Sequence, residues 1–476
     1  MKAIKYLFIG AMMLSVSAPV VAQDNKAAID EAQQLVKSKA DAKEVKSFAK
    51  KNKKNGEVLT ALARAYYEAQ DTASAKVYAT QASGLKYAPA YVLLGDIAAL
   101  ADDGGTAGIM YQQAMHFDPT YPDSYIKYAT MYSKVDPNGA VSTLETLRQN
   151  NPGYPVDLPM AKLYMKANKL DDAIASYDKW YANTDYSLKE PGDVAGYALI
   201  HYMKKNYDKS MQIIGEASQK YPRSSSINRI GLMNTVAQQK YDDALVWADR
   251  LFTKSDSANF NDFDYTNYAQ AYVGKGQYDQ AIELYRKGME VSTADKDAVN
   301  NLRKEISDAY MQKGDFDNAV AEYKLYLENT SKKTASDYST LAEMYYKHAA
   351  DLQGDAQKDA IREADKIYAE VEGLFANNVD VLAYVLNRRG TLNAILDPDS
   401  KEGLAKPVFE KLMKLMEEKA DRSDADTKKL VTSYRYLMSY DLLVQDNKQA
   451  AREWAQKILD LDPENEQAKA VIENIK

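Results

Sequence analysis

From about residue 57 onward, apolar and small residues recur in helix-length stretches divided by short polar turns. Five segments set the register: "KLDDAI" at 169, "NYDKSM" at 206, "KYDDAL" at 240, "QYDQAI" at 277 and "DFDNAV" at 315. Each places an apolar anchor, then Asp, then any residue, then Ala or Ser. The aspartate suits a helix N-cap, where a carboxylate accepts from unpaired backbone amides. The small residue lets the new helix pack closely on its predecessor. Extended along the chain, the small positions are Ala75, Ala107, Ala140, Ala173, Ser210, Ala244, Ala281 and Ala319, with spacings between 32 and 38. A period in the mid-thirties predicts stacked helical hairpins.

The period loosens further on. Leu341, Ala342 and Tyr345 are answered only by Ala364 and Tyr368, which implies about ten extra residues in that hairpin. The first helix before Ala405 and Phe409 matches poorly, and "LDPDSKEG" reads as an extended connection. The tail "ENEQAKAVIENIK" after Pro463 reads as a capping helix, which an open stack needs to cover its last apolar face.

Within single units the pattern resembles the tetratricopeptide repeat family. Tyr91, Leu94, Gly95, Ala107, Tyr111, Ala114 and Pro119 follow its signature, as do Tyr265, Tyr268, Ala269, Tyr272, Ala281, Tyr285 and Gly288. Tyr125, Tyr128, Ala129 and Tyr132 mark another unit, and Met160, Ala161, Tyr164, Ala173 and Tyr177 a further one. The resemblance implies an all-α, right-handed superhelical solenoid of about ten helical hairpins, in an exported, Bacteroidota-like bacterial member of the family. The expected organisation is a signal peptide at 1–22, an N-terminal helical segment at 23–56 and a regular array at 57–330. Irregular units with insertions follow at 331–426, and a final unit with its capping helix at 427–476.

In such a stack the first helices line a concave surface. The register places Arg64, Tyr67, Lys162, Met165, Tyr202, Arg229 and Met233 there, with Lys304, Tyr346 and Tyr440 further along. Tyrosine, methionine and arginine are residues that adaptable protein-binding surfaces use. The Lys/Asn pair with which chaperone-binding family members grip a C-terminal carboxylate has no counterpart. Its positions hold Thr60/Arg64, Ile126/Thr130, Thr266/Gln270 and Lys304/Asp308.

Composition narrows the setting. Lys2 and Lys5 precede an apolar run and the small residues Val20, Val21 and Ala22, the pattern of a cleaved signal peptide. The expected mature chain starts at Gln23, and its formal charge moves from −7 to −9 on losing the two lysines. Cysteine is absent, so neither disulfides nor a lipid-anchoring cysteine are available. The expected location is the periplasm or outside the cell, in soluble form, with no integral membrane segment after cleavage. An acidic chain is a poor nucleic-acid binder. One basic stretch stands out, "KSKADAKEVKSFAKKNKKN" from Lys37 to Asn55. It reads as a solvated helix face, with a weak contact to envelope surfaces as the alternative.

Catalytic chemistry has few candidates. The three histidines are His116, His201 and His348, and His201 occupies the packed-tyrosine position of its unit. "GKGQYD" at 274 is an incomplete dinucleotide fingerprint in a helix–helix turn, and "DPDSKEG" at 397 lacks the ligand pattern of a calcium loop. "DTA" at 71 and "DSA" at 256 resemble a short O-glycosylation motif of exported proteins, in predicted turns. The expected function is a non-enzymatic, cofactor-free exported scaffold that binds a protein or peptide in its concave groove. The alternatives are a structural component of an envelope assembly, or a glycan-binding module or enzyme within 331–426.

Overall fold

A computed structural model describes residues 21–474, in which 25 α-helices and no strand are formed. The expected leader lies outside the described residues except for Val21 and Ala22, where α1 (Val21–Lys37) begins; α2 (Ala42–Lys51) follows. Five hairpins come next: α3 (Gly56–Glu68) with α4 (Thr72–Ser83), α5 (Ala88–Leu100) with α6 (Gly104–Phe117), α7 (Pro122–Tyr132) with α8 (Pro137–Asn150), α9 (Asp157–Lys166) with α10 (Leu170–Asn183), and α11 (Pro191–Met203) with α12 (Tyr207–Lys220). The chain groups into two compact units, one up to Ile230 and one from Gly231, and this division falls within α13 (Ser225–Ala237).

The second unit continues with α14 (Tyr241–Asp249), then α15 (Asp262–Gly274) with α16 (Tyr278–Val291), and α17 (Lys296–Lys313) with α18 (Phe316–Asn329). Longer helices follow: α19 (Ala335–Ala349) with α20 (Gly354–Leu374), and α21 (Val379–Leu396) with α22 (Lys406–Glu418). The last hairpin is α23 (Asp424–Leu443) with α24 (Lys448–Leu461), covered by α25 (Glu466–Asn474). The extra residues expected after Leu341 lengthen α20 to 21 residues instead of forming a loop. Ala468 and Val471 of α25 pack into the last core cluster, as a capping helix should.

The small positions carry the architecture. Ala75, Ala107, Ala173, Ser210, Ala244, Ala281 and Ala319 are all 0% exposed, and Ala140 is 1% exposed. Where serine replaces alanine in this contact, its hydroxyl is satisfied across the hairpin. Ser210 Oγ donates to the Ala198 carbonyl at 2.7 Å, and Ser307 Oγ donates to the Ala319 carbonyl at 2.7 Å. Both pairs are twelve residues apart, so they are one geometric contact with the serine placed on either side. Within each unit, core clusters form between neighbouring hairpins.

Helix starts differ from the expected capping. In α10, α12, α14 and α16 the N-cap is Lys169, Asn206, Lys240 or Gln277, with no side-chain cap bond. The motif aspartates Asp171, Asp208, Asp242 and Asp279 lie inside the first turn, where negative charge still complements the helix dipole. Three of them meet a lysine from the end of the next first helix: Asp171 with Lys204 at 2.9 Å, Asp242 with Lys275 at 2.8 Å and Asp279 with Lys313 at 2.6 Å. True aspartate caps do occur at Asp71, Asp103, Asp136 and Asp315.

"LDPDSKEG" is a tight turn and not an extended connection. Asp397, 7% exposed, accepts main-chain N–H bonds from Glu402 at 3.0 Å, Gly403 at 2.8 Å and Leu404 at 3.4 Å. Three donors on one carboxylate oxygen fold the segment back on itself, a geometry that uses the aspartate as a structural anchor.

Candidate functional site

The first helices of successive hairpins meet one another along α3, α5, α7 and α9. On each, a buried small residue faces the second helix, so the next residue turns outward. That outward position holds Arg64 after Ala63, Asp96 after Gly95, Thr130 after Ala129 and Lys162 after Ala161. In the second unit it holds Gln270, Asp308 and Glu343. Because α3, α5, α7 and α9 pack successively on one another, these outward positions form a column of polar side chains in the first unit.

Arg64 is exposed and Tyr67 half-buried on α3. Burial raises the hydroxyl pKa of Tyr67, Asp96 raises it further, and Arg64 opposes both. Arg64 exerts the same opposing influence on Tyr87 and Tyr121, whose pKa values burial pushes up first and the neighbouring carboxylates Glu57 and Asp123 second. Tyr87 and Tyr121 stand at the N-caps of α5 and α7 without making a side-chain cap bond. Tyr67 follows Arg64 by three residues on α3, and Arg64 acts electrostatically on Tyr87 and Tyr121. Among the described residues, Arg64 makes no ion pair.

Three of its register equivalents are engaged internally. Asp96 accepts from Tyr111 Oη at 2.9 Å and from Lys127 Nζ at 2.8 Å. Lys162 pairs with Asp193 at the start of α11. Glu343 accepts from Tyr368 Oη at 2.6 Å and pairs with Arg388, whose guanidinium lies over the Tyr346 ring at 5.0 Å. Sequence reasoning missed Asp96, Lys127, Glu343 and Arg388. For Asp96 and Glu343 the available signal was the outward position itself, the residue after the buried small one.

The remaining expected residues are placed differently. Met165 is half-buried with its sulfur 4.0 Å from Tyr177 Oη, and the Tyr202 ring packs 5.6 Å from Tyr207. Each is therefore held by the second helix of its own hairpin. Arg229 is half-buried. Met233, expected at the surface, is 6% exposed: it lies in a stretch of α13, from Gly231 to Thr235, in which every residue is buried. Lys304 lies over the Tyr326 ring at 5.8 Å, beside Glu305 and Asp308, whose carboxyl pKa values burial raises.

The histidines are dispersed. His116 is exposed in the last turn of α6, while Asp118 organises the following turn by accepting from Thr120 N at 2.9 Å and Thr120 Oγ1 at 2.7 Å. His201 is 6% exposed against Tyr197, with neither ring nitrogen hydrogen-bonded. His348 stacks on Phe316 at 3.8 Å. Among the described residues no group of three or more His, Cys, Asp or Glu is placed to hold a metal. Thr72 of the first short motif is the opening residue of α4, and Ser257 of the second is exposed with φ of 47°.

Residues 265–295 and 305–332, which span most of α15–α16 and α17–α18, match the family model described as tetratricopeptide repeat. The chain carries tetratricopeptide repeats. No curated protein matches it by sequence. Among solved structures it is similar to the C-terminal part of a repeat protein of this family from Cytophaga hutchinsonii, at 23% identity over 58% of this chain and 99% of that one, with a TM-score of 0.46. A tetratricopeptide repeat protein from Parabacteroides merdae is similar at 19% identity over 52% and 96%, with a TM-score of 0.39. A human IFIT1 dimer with m7Gppp-AAAA is similar at 14% identity over 84% and 88%, with a TM-score of 0.40. No helix among the described residues is long and apolar enough to cross a membrane.

Proposed function

We propose that this chain is an exported, non-catalytic scaffold that takes a protein or peptide partner on its first helices, with the primary contact on α3, α5 and α7. The observation that carries the reading is Arg64: an exposed residue one turn before Tyr67, acting electrostatically on Tyr87 and Tyr121 and without an ion pair among the described residues, while Asp96, Lys162 and Glu343 at the same register are internally paired. Arginine and tyrosine are the residue types enriched at interface hot spots. The amino-terminal pattern supports export, and the dispersed histidines support a role without catalysis.

Affinity capture from an envelope extract tests this. Arg64→Glu with Tyr67→Ala is expected to remove the protein that the unaltered chain retains, while Lys179→Glu, on the exposed side of α10, leaves it bound. If the Lys179→Glu variant loses the partner and the α3 variant keeps it, the contact lies on the second helices and the reading fails.

A further inference from the structure

The segment from Lys37 to Lys54 carries eight lysines, Lys37, Lys39, Lys43, Lys46, Lys50, Lys51, Lys53 and Lys54, against two acids, Asp41 and Glu44. Its net charge is +6, while the rest of the chain from residue 23 carries −15. All eight lysines are exposed, and none makes an ion pair among the described residues. On α2, Val45, Phe48 and Ala49 are buried in the first core cluster, so Lys43, Lys46 and Lys50 line the opposite face, and the other lysines flank the two ends.

We propose that this face is an electrostatic foot that docks the protein on an anionic phospholipid bilayer. Three observations select that occupant. The cations are all lysines, compact point charges on flexible stems, and not arginines with the planar fork that reads individual carboxylates or phosphates. No large apolar or aromatic side chain is exposed between Lys37 and Lys54, so there is no platform for stacking bases. The apolar side of α2 is already spent in the core, which removes insertion as a binding mode and leaves adsorption on a diffuse negative surface. Clusters of four to eight lysines are sufficient for such adsorption. The strong negative charge elsewhere is repelled by the same surface, which confines contact to the foot.

Vesicle co-sedimentation decides the matter, using the chain without residues 1–22 so that their apolar run cannot itself bind lipid. Vesicles of phosphatidylcholine with phosphatidylglycerol are expected to retain the protein at low salt, and pure phosphatidylcholine vesicles are not. Raising salt from about 50 to about 200 mM should weaken binding by roughly tenfold or more, since screening acts on every exposed lysine. Lys43→Glu with Lys46→Glu and Lys50→Glu should abolish retention, and the milder Lys→Gln set at the same positions should reduce it with an unchanged circular dichroism spectrum. Lys332→Glu with Lys333→Glu and Lys358→Glu, an equal change of charge at exposed sites elsewhere, should leave it intact. Equal retention on neutral vesicles, equal loss in the two triple variants, or capture by an acidic polysaccharide such as heparin without vesicle binding would each overturn the proposal.

Discussion

At Gly95 the packing of a hairpin comes down to one missing atom. A Cβ there would stand 2.4 Å from the ring of Tyr111, and the corresponding Cβ at Gly231 would stand 2.4 Å from the indole of Trp247. The large ring of the second helix is seated on bare backbone of the first. Gly95→Ala should therefore cost about 1–3 kcal/mol as an overpacked core position, despite the gain in helix propensity. His116→Ala, at an exposed site, should stay within about 0.5 kcal/mol in the same urea titration. Met233→Asp places a charge at a buried position and should also destabilise the fold. His201 adds a dependence on pH. Burial without hydrogen-bond partners lowers its pKa below the ordinary 6.5. As pH falls through 6.5 the unfolded chain takes up a proton that the folded chain refuses, so stability drops until the folded pKa is reached. The loss between pH 7.5 and 5.5 should be smaller in His201→Phe than in the unaltered protein. An equal loss in both would show that His201 is not its source.

Whole helices show which of these features an observer of the sequence alone can find. The helical period and the small seats were legible because Ala or Ser recurs at one register and each seat is buried. Caps were less legible, because aspartate is favourable both at the N-cap and within the first turn, and the motif does not say which. The structural distinction has an energetic consequence. Asp71 accepts from Ser74 N at 3.0 Å as the cap of α4, so Asp71→Ala should cost about 1 kcal/mol of stability. Asp242 caps nothing and makes only an exposed pair with Lys275, so Asp242→Ala should cost less than about 0.5 kcal/mol. Thermal denaturation of the two variants side by side checks the ordering. The turn at Asp397 and the pairing of Glu343 with Arg388 were illegible for a different reason. Each depends on groups brought together by folding, five to 45 residues apart in the chain, and no periodic pattern announces them.

At the scale of the molecule, clusters built between neighbouring hairpins make stability approximately a sum of neighbouring contacts. A lesion should then be felt close to where it is made. Ala281 is 0% exposed in the cluster that joins α15, α16 and α17, with Ala269, Tyr285 and Leu302. Ala281→Leu forces three extra carbons into that contact and should cost about 1–3 kcal/mol there. The cluster around α3 and α4, with Leu59, Leu62 and Ala79, shares no residue with it. Native-state hydrogen exchange separates local from global loss, because each amide reports the cheapest opening that frees it. In Ala281→Leu, exchange should accelerate through α15–α18 and stay unchanged in α3–α6. A single cooperative core would instead lower protection everywhere by the same amount, and that outcome would contradict the nearest-neighbour account of this fold.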